Sequence, residues 1–242
     1  MKTKVDKRKI TVQLWGPLLK KLNELTAAAC LNRDAYLDVV FAGEAQMLLS
    51  ELQGKKNSDQ ARAFIKQCFA ELRDLHPVSL TLTAGTAEAL TNACTQANVW
   101  RDAFVNRVIY LLVAKASAIE SQFTFKFQDH TEAIFDDGCE IKSLLLGPRL
   151  VAIRGFICDD PFLAIRTALR SEYPDSEGRL HDQQLGNPMA TESKDRGLAG
   201  FTVYLEDMYV PGTQENQRWH QETEEWHRLL FDDVPATAEG GK

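Results

Sequence analysis

The sequence predicts an α+β protein built from two related strand–helix–helix units and a small third domain of helices and strands. Two short stretches alternate apolar and polar residues, and apolar residues at helical spacing follow each of them. An internal repeat aligns Ile10–Phe41 with Val78–Ile109 at an offset of 68 residues without a gap. Seven of the 32 aligned positions are identical, where chance would give about two. The two units are therefore expected to share one fold.

Each unit begins with a half-buried strand, Ile10–Leu14 in the first copy and Val78–Leu82 in the second. Because side chains alternate along a strand, Ile10, Val12 and Leu14 are expected to face the core. A single strand cannot satisfy its own backbone hydrogen bonds and needs a partner. The other copy supplies one, either within the same chain, as a fused pseudo-dimer, or in a second chain.

Two helices follow each strand. Pro17 fits the first helical position in copy one, and Thr83 is a candidate N-cap in copy two. After a short turn the second helix begins, with Asn32 as N-cap in copy one and Trp100 at the equivalent position of copy two. Between the copies, Asp59–Leu75 is amphipathic and predicts a connecting helix.

The pattern changes in the second half of the chain. It predicts strands at Phe123–Phe127, Arg149–Cys158 and Phe201–Leu205, helices from Asp160 to Glu172 and over Gln214–Phe231, and a long loop over 174–199. The expected organisation is a first unit with a basic arm (1–49), a connecting helix (50–76), a second unit (77–117), an acidic α+β domain (118–234) and a disordered tail (235–242).

Charge and composition limit the classes of function that the chain could have. Residues 1–115 hold 16 Lys+Arg against 11 Asp+Glu, a net +5, whereas residues 116–242 hold 12 against 23, a net −11. The first half is therefore expected to meet an anionic partner. No apolar run approaches a membrane span, and the polar N-terminus does not resemble a signal peptide. Five cysteines without a CxxC pair favour a reducing cytoplasm over a disulfide framework.

The repeated unit resembles the ribbon-helix-helix DNA-binding proteins of the Arc/MetJ type. Lys7–Leu14 matches the family run K-R-x-hydrophobic-T-hydrophobic-x-L, and Leu31–Tyr36 resembles the opening of its second helix. The resemblance covers about 32 residues twice, roughly a quarter of the chain. It implies that two strands pair antiparallel as a ribbon that enters the major groove over a core of four helices. The family usually has Gly in the turn between the helices, where this chain has Cys30 and Asn98.

The resemblance also implies which residues contact DNA. The polar strand face would contact base edges through Lys9, Thr11, Gln13, Ser79 and Thr81. The basic arm and the start of each second helix would contact phosphates through Lys2, Lys4, Lys7, Arg8, Asn32, Arg33, Trp100 and Arg101. The alternatives are a solvated sheet face for the strand residues, a solubilising terminus for the arm, and surface ion pairs with acids such as Asp34 or Asp38 for the two arginines.

The sequence contains no motif typical of an enzyme. HExxH, GxSxG, P-loop and GxGxxG patterns are absent from it, so we expect no enzymatic activity, cofactor or metal. A site built from His130, Cys139 and Cys158 is a minor alternative. The helix with Trp219 and Trp226 either binds a partner or packs on its own domain.

These observations predict a cytoplasmic, nucleoid-associated transcriptional repressor that binds an operator with repeated half-sites and self-associates. Its C-terminal domain would oligomerise or receive a small-molecule or protein effector. The alternative is a protein-interaction factor, such as an antitoxin or partition accessory factor, whose acidic half binds a partner. An enzyme tethered to DNA is the third hypothesis.

Overall fold

The computed structural model describes residues 6–127 and 160–231. In the first range the elements are β1 (Lys7–Trp15), α1 (Gly16–Ala28), α2 (Arg33–Leu52), α3 (Asp59–Ala70), β2 (Leu75–Thr83), α4 (Ala84–Gln96), α5 (Arg101–Val113) and α6 (Ala116–Phe123). In the second range they are α7 (Leu163–Glu172), α8 (Ser193–Ala199) and α9 (Gln214–Phe231), with short 3-10 turns at Pro174–Ser176 and Asp207–Tyr209. The chain is therefore α+β, as predicted.

The strands β1 and β2 of the same chain pair antiparallel, so the two repeats pair within one chain. Alternate side chains of β1 are buried, namely those of Ile10, Val12 and Leu14, and the strand residues between them are exposed. On β2, Leu80 and Leu82 are buried. The predicted facing of the strands is confirmed, and both strands are longer than predicted.

The predicted caps Asn32 and Thr83 are confirmed, and α1 begins at Gly16, one residue before the predicted start at Pro17. Pro17 lies in the first turn of α1. The side chain of Asn32 accepts a hydrogen bond from the backbone N–H of Ala35 at 2.9 Å, and Thr83 caps α4 in the same way. Trp100 precedes α5 and makes no side-chain cap bond, which agrees with its poor capping chemistry.

The turn between the two helices of each unit adopts the left-handed conformation. Cys30 has φ of 57° and Asn98 has φ of 50°. Asn98 gains from this position, because its side-chain amide donates to the carbonyl oxygen of Asn57 and to the Asp59 carboxylate, both at 3.0 Å. In the first copy the same left-handed conformation falls on Cys30, and a cysteine adopts it at an energetic cost.

The C-terminal residues pack onto the same hydrophobic core as the two strand–helix–helix units. The fully buried ring of Phe201 lies 6.0 Å from the Trp15 ring at the end of β1, and 6.1 Å from the rings of Phe69 and Tyr110. Phe162, Leu169 and Leu180 belong to this core as well. The described part of the acidic half is thus built against the repeats.

Two predicted strands are wrong. Phe123 ends α6, Thr124 has a positive φ of 54°, and the residues to Phe127 are irregular. Residues 201–205 are largely buried, but they pair with no described strand. The Asn57 side chain takes the place of a neighbouring strand: its amide nitrogen donates to the Val203 carbonyl at 2.6 Å, and its amide oxygen accepts from the Leu205 N–H at 2.9 Å.

The helix predictions in this half fare better. The predicted helices are present as α7 and α9, while α8 lies at the end of a stretch predicted as loop. The predicted strand 149–158 and the predicted tail lie outside the described residues. In the two described ranges, no helix has the length and apolar character needed to cross a membrane.

Candidate nucleic-acid interface

The structure brings the five residues predicted to contact bases onto one face of the ribbon. Lys9 lies opposite Thr81, Thr11 opposite Ser79, and Gln13 opposite Pro77. The side chains of Lys9, Thr11, Gln13 and Ser79 are exposed, and that of Thr81 is half-buried. We call this surface the ribbon face. It is a polar strip that is exposed except at Thr81.

The ribbon face has an approximate twofold axis at its centre. Thr11 and Ser79 are equivalent positions of the repeat, and they are also partners in the strand register. The pair Lys9–Thr81 is therefore equivalent to the pair formed by Pro77 and Gln13 on the other side of the axis. The backbone is symmetric, but the side chains differ: one end presents a lysine and a threonine, and the other presents a glutamine and a proline.

Basic residues of the arm lie at the lysine end. Lys7 is exposed opposite Thr83, so it extends the ribbon face by one position. Arg8 is also exposed, although its side chain belongs to the opposite face of the strand. Lys2 and Lys4 lie outside the described residues.

Backbone N–H groups at the outer edges of the ribbon donate hydrogen bonds to side chains from the second helix of each unit. On β2, the Thr81 N–H donates to Asp34 at 2.9 Å, and the Thr83 N–H donates to Asp38 at 2.8 Å. Each of these helix residues belongs to the first unit and each strand residue to the second, so the capping interlocks the two units.

The opposite edge repeats this arrangement. The Gln13 N–H donates to Asp102 at 3.2 Å and the Trp15 N–H donates to Asn106 at 2.9 Å. Burial raises the pKa of the Asp102 carboxyl, against the lowering effects of the Gln13 N–H and Arg101. Such edge caps matter because an exposed strand edge invites pairing with other chains. This role was not predicted from the sequence, although Asp34 and Asp102 are equivalent positions of the repeat.

The two arginines predicted to contact phosphates already have partners in the protein. Arg33 forms an ion pair with Asp34 at 2.9 Å and reaches the side-chain oxygen of Asn23 at 3.3 Å. Arg101 donates to the Thr11 carbonyl oxygen at 2.7 Å, and its Nε lies 3.7 Å from Asp102. The ion-pair alternative is thus present in the structure, and both arginines remain at the borders of the ribbon face.

Trp100 contacts two cations, Arg62 and Lys66, that were not predicted from the sequence to be site residues. The Arg62 guanidinium lies 5.3 Å and the Lys66 ammonium 4.9 Å from the centre of the indole ring. Both residues lie on α3, one helical turn apart. In the sequence, the two cations stand four residues apart on the predicted connecting helix. Only the fold places that helix next to α5.

A largely buried charge network lies between α2 and the C-terminal segment. The Arg166 guanidinium donates to Glu51 at 2.8 Å, to Glu44 at 2.9 Å and to Asp160 at 2.6 Å. His181 adds a side-chain bond to Glu44 at 2.7 Å and a backbone bond to Glu51 at 2.6 Å. These contacts join α2 of the first unit to the C-terminal segment.

The contacts of this network favour the ionised form of Glu44. Burial raises the pKa of Glu44, but the hydrogen bond and charge of His181 and the charge of Arg166 outweigh it and hold that pKa below its ordinary value. Nearby, Arg107 is fully buried and donates to the Leu180 carbonyl oxygen, while its Nε and Nη1 atoms lack an acceptor. Burial lowers the pKa of Arg107 to about 9.

An open pocket of about 430 Å³ lies beside this network, and Lys55, Asp182 and Tyr204 are among its lining residues. Lys55 and Asp182 form an ion pair at 3.1 Å, and the Lys55 ammonium lies 5.3 Å from the Tyr204 ring. Ligand pockets for effectors are usually mostly apolar, whereas this lining is largely polar.

In the described ranges, no group of three His, Cys, Asp or Glu side chains could hold a metal ion. His130, Cys139 and Cys158 lie outside those ranges. Comparison of the chain with protein families, with curated proteins and with solved structures finds no match.

Proposed function

We propose that this protein is a sequence-specific DNA-binding repressor that inserts the ribbon face into the major groove. In this proposal the two units form a tandem ribbon-helix-helix pseudo-dimer within one chain. The observation that carries the proposal is the antiparallel ribbon between the repeats, with Lys9, Thr11, Gln13 and Ser79 exposed on one face.

The dimensions of the ribbon suit a major groove. Two strands about 4.8 Å apart fit a groove about 12 Å wide. Facing pairs recur every second residue, about 6.8 Å along the strand, so three pairs span roughly 14 Å, or about five base pairs. Gln side chains can pair with adenine, Lys with guanine, and Thr with an acceptor or a thymine methyl group. One chain would thus read a short half-site, and self-association would supply the second half-site of an operator.

A second candidate function rests on helix α9. Most of this helix is exposed, and Trp226 keeps 65% of its surface accessible next to Glu222 and Glu225. An exposed tryptophan in an acidic helix is typical of a surface for a basic protein partner. This role fits the interaction-factor hypothesis, in which the ribbon would serve pairing alone.

The test is binding-site selection from a random duplex DNA pool with the full-length protein at two salt concentrations. We expect a recovered motif of two similar half-sites. The Thr11→Ala, Gln13→Ala double variant should lose about 30-fold to 10⁴-fold in affinity for that motif, because two base contacts contribute about 1–3 kcal/mol each. Its sequence-independent binding and thermal stability should stay unchanged, since both side chains are exposed.

The matched control is Asn92→Ala, Gln96→Ala, which removes two exposed polar side chains from α4. It should bind the motif like the unmodified protein. Absence of any DNA binding by the full-length protein would refute the proposal and favour the protein-partner function. Sequence-blind binding alone would point to an architectural role instead of a repressor.

A further inference from the structure

The helix α3 is held firmly against the border of the ribbon face. Asn57, just before α3, is buried and bridges three segments: its backbone N–H donates to Ala97 at 3.1 Å, and its side chain bonds to Val203 and Leu205. Asn98 returns a bond to the Asn57 carbonyl oxygen at 3.0 Å. The start of α3 is thereby fixed to the turn that precedes α5.

Apolar packing fixes the rest of the helix. The buried side of α3, including Phe64, Ile65 and Cys68, packs against Ala103 of α5 and Leu205 of the C-terminal segment. Exposed Lys66 and half-buried Arg62 lie on the flank of α3 beside this packed side. These two side chains meet the indole of Trp100 at the N-terminus of α5.

This group of residues is rich in donors and poor in acceptors. Among the described residues, neither Arg62 nor Lys66 forms an ion pair. Two cations one turn apart on a helix repel each other, and the positive end of the α5 dipole adds to their field. The buried indole Nε1 of Trp100 and the buried Nε of Arg62 also make no hydrogen bond, and the Nε of Arg101 has only its 3.7 Å contact with Asp102. An anion at this position would relieve the repulsion.

Only one border of the ribbon face has these cations. Arg101, which bonds to the Thr11 carbonyl oxygen, connects the group to the β1 edge. At the equivalent place on the β2 edge, Asn32 replaces Trp100, and Arg33 is paired with Asp34 as Arg101 is with Asp102. Asp38 supplies a second carboxylate where the β1 edge has the neutral Asn106. The β1 border therefore presents excess positive charge, and the β2 border does not.

We infer that α3 binds the phosphate backbone of duplex DNA through Arg62 and Lys66, on the β1 border of the ribbon face alone. This inference rests on the proposed DNA-binding function and extends it. The connecting helix becomes part of the interface, the indole of Trp100 orients the two cations, and the contacts to the two DNA strands are unequal. Because phosphate contacts do not read sequence, this surface raises affinity and fixes the orientation of the chain on its site.

The experiment measures the salt dependence of DNA affinity with the full-length chain. Each phosphate contact contributes about 0.9 to the slope of log K against log salt concentration. The Arg62→Gln, Lys66→Gln double variant should therefore reduce the magnitude of that slope by about 1.8, while the preferred sequence stays the same. Arg62→Lys keeps the charge and should keep the slope of the unmodified protein.

The matched control is Lys115→Ala, Lys126→Ala, which also removes two exposed positive charges. Lys115 lies beyond the far end of α5, about 20 Å along the helix axis from Trp100. This control should leave the slope nearly unchanged. Only the Arg62→Gln, Lys66→Gln variant should lose phosphate-ethylation interference on the selected motif, and it should lose it on one side of each half-site.

The outcomes separate the two proposals. If the unmodified protein binds DNA but the α3 double variant keeps its slope and its interference pattern, the α3 inference is wrong and the ribbon proposal stands. If the unmodified protein does not bind DNA, the proposed function is wrong. If the control lowers the slope as much as the α3 variant does, general charge and not the α3 surface determines the affinity, and the α3 inference is again wrong.

Discussion

Replacing Arg166 by methionine should destabilise the protein strongly. The side chain is only 6% exposed, and it pairs with Glu44 and Glu51, whose side chains are 4% and 5% exposed. The variant would leave these two carboxylates buried without their main cationic partner. Breaking a buried pair in this way costs about 3–5 kcal/mol. We expect a loss near the middle of that range, because His181 still supplies bonds to both carboxylates.

The loss of stability in Arg166→Met is expected to come from unpaired buried charge and not from lost side-chain volume. The triple variant Glu44→Gln, Glu51→Gln, Arg166→Met has no buried charge at these three positions. It should be more stable than Arg166→Met alone, since a neutral replacement avoids the desolvation of unpaired ions. Arg170→Met, on the exposed side of the same helix, is the matched control and should change stability by less than about 0.5 kcal/mol.

The assay is urea unfolding followed by circular dichroism, with the free energy of unfolding extrapolated to water. The pKa of Glu44 is lowered in the folded state, so its stabilisation is fully present above the ordinary value of 4.5 and is lost as the pH falls through the lower pKa of the folded state. The stability difference between the unmodified protein and Glu44→Gln should therefore shrink as the pH is lowered from 4.5.

Two results would refute this reasoning. A loss below about 1 kcal/mol for Arg166→Met would mean that water reaches the carboxylates. A triple variant no more stable than Arg166→Met would mean that lost packing, and not an unpaired charge, determines the cost.

Three further predictions concern the turns between the helices and the edge of the ribbon. Cys30→Gly should raise the free energy of unfolding by about 0.5–1 kcal/mol, because glycine adopts the positive φ without strain. Asn98→Gly should lower it, because the Asn98 side chain forms two hydrogen bonds there. Asp102→Ala should cost about 1–3 kcal/mol and speed amide exchange at Gln13, whose N–H it leaves unpaired. Thermal melts check the first two predictions, and hydrogen exchange checks the third, which unchanged exchange at Gln13 would contradict.

The local features of the repeats could be predicted from the sequence because they depend on neighbouring residues. Strand alternation, the Asn32 and Thr83 caps and the Pro17 start all follow from spacing within a few positions. The pairing of the two strands follows from the repeat, but the register does not, since a twofold arrangement would equally allow Val12 opposite Leu80. The structure places Thr11 opposite Ser79.

The features that could not be predicted depend on contacts between distant segments. Residues 201–205 have the composition of a strand, but Asn57, about 150 positions earlier, supplies their hydrogen bonds. Glu44 was not selected from the sequence, and the residues that it is buried with, Arg166 and His181, lie 122 and 137 positions away. The cations of α3 were missed for the same reason, since nothing local places them beside Trp100.

Joining both units in one chain allows equivalent positions to differ, which a symmetric dimer of identical chains does not permit. Val39 and Arg107 are equivalent in the repeat, yet Val39 is 68% exposed and Arg107 is fully buried under Leu180. The C-terminal segment thus covers α5 at a position that stays open on α2. Asn32 and Trp100 differ in the same way, and only Trp100 has the α3 cations beside it. A DNA site contacted by such a ribbon should therefore be read in one orientation, with its stronger backbone contacts on the β1 border.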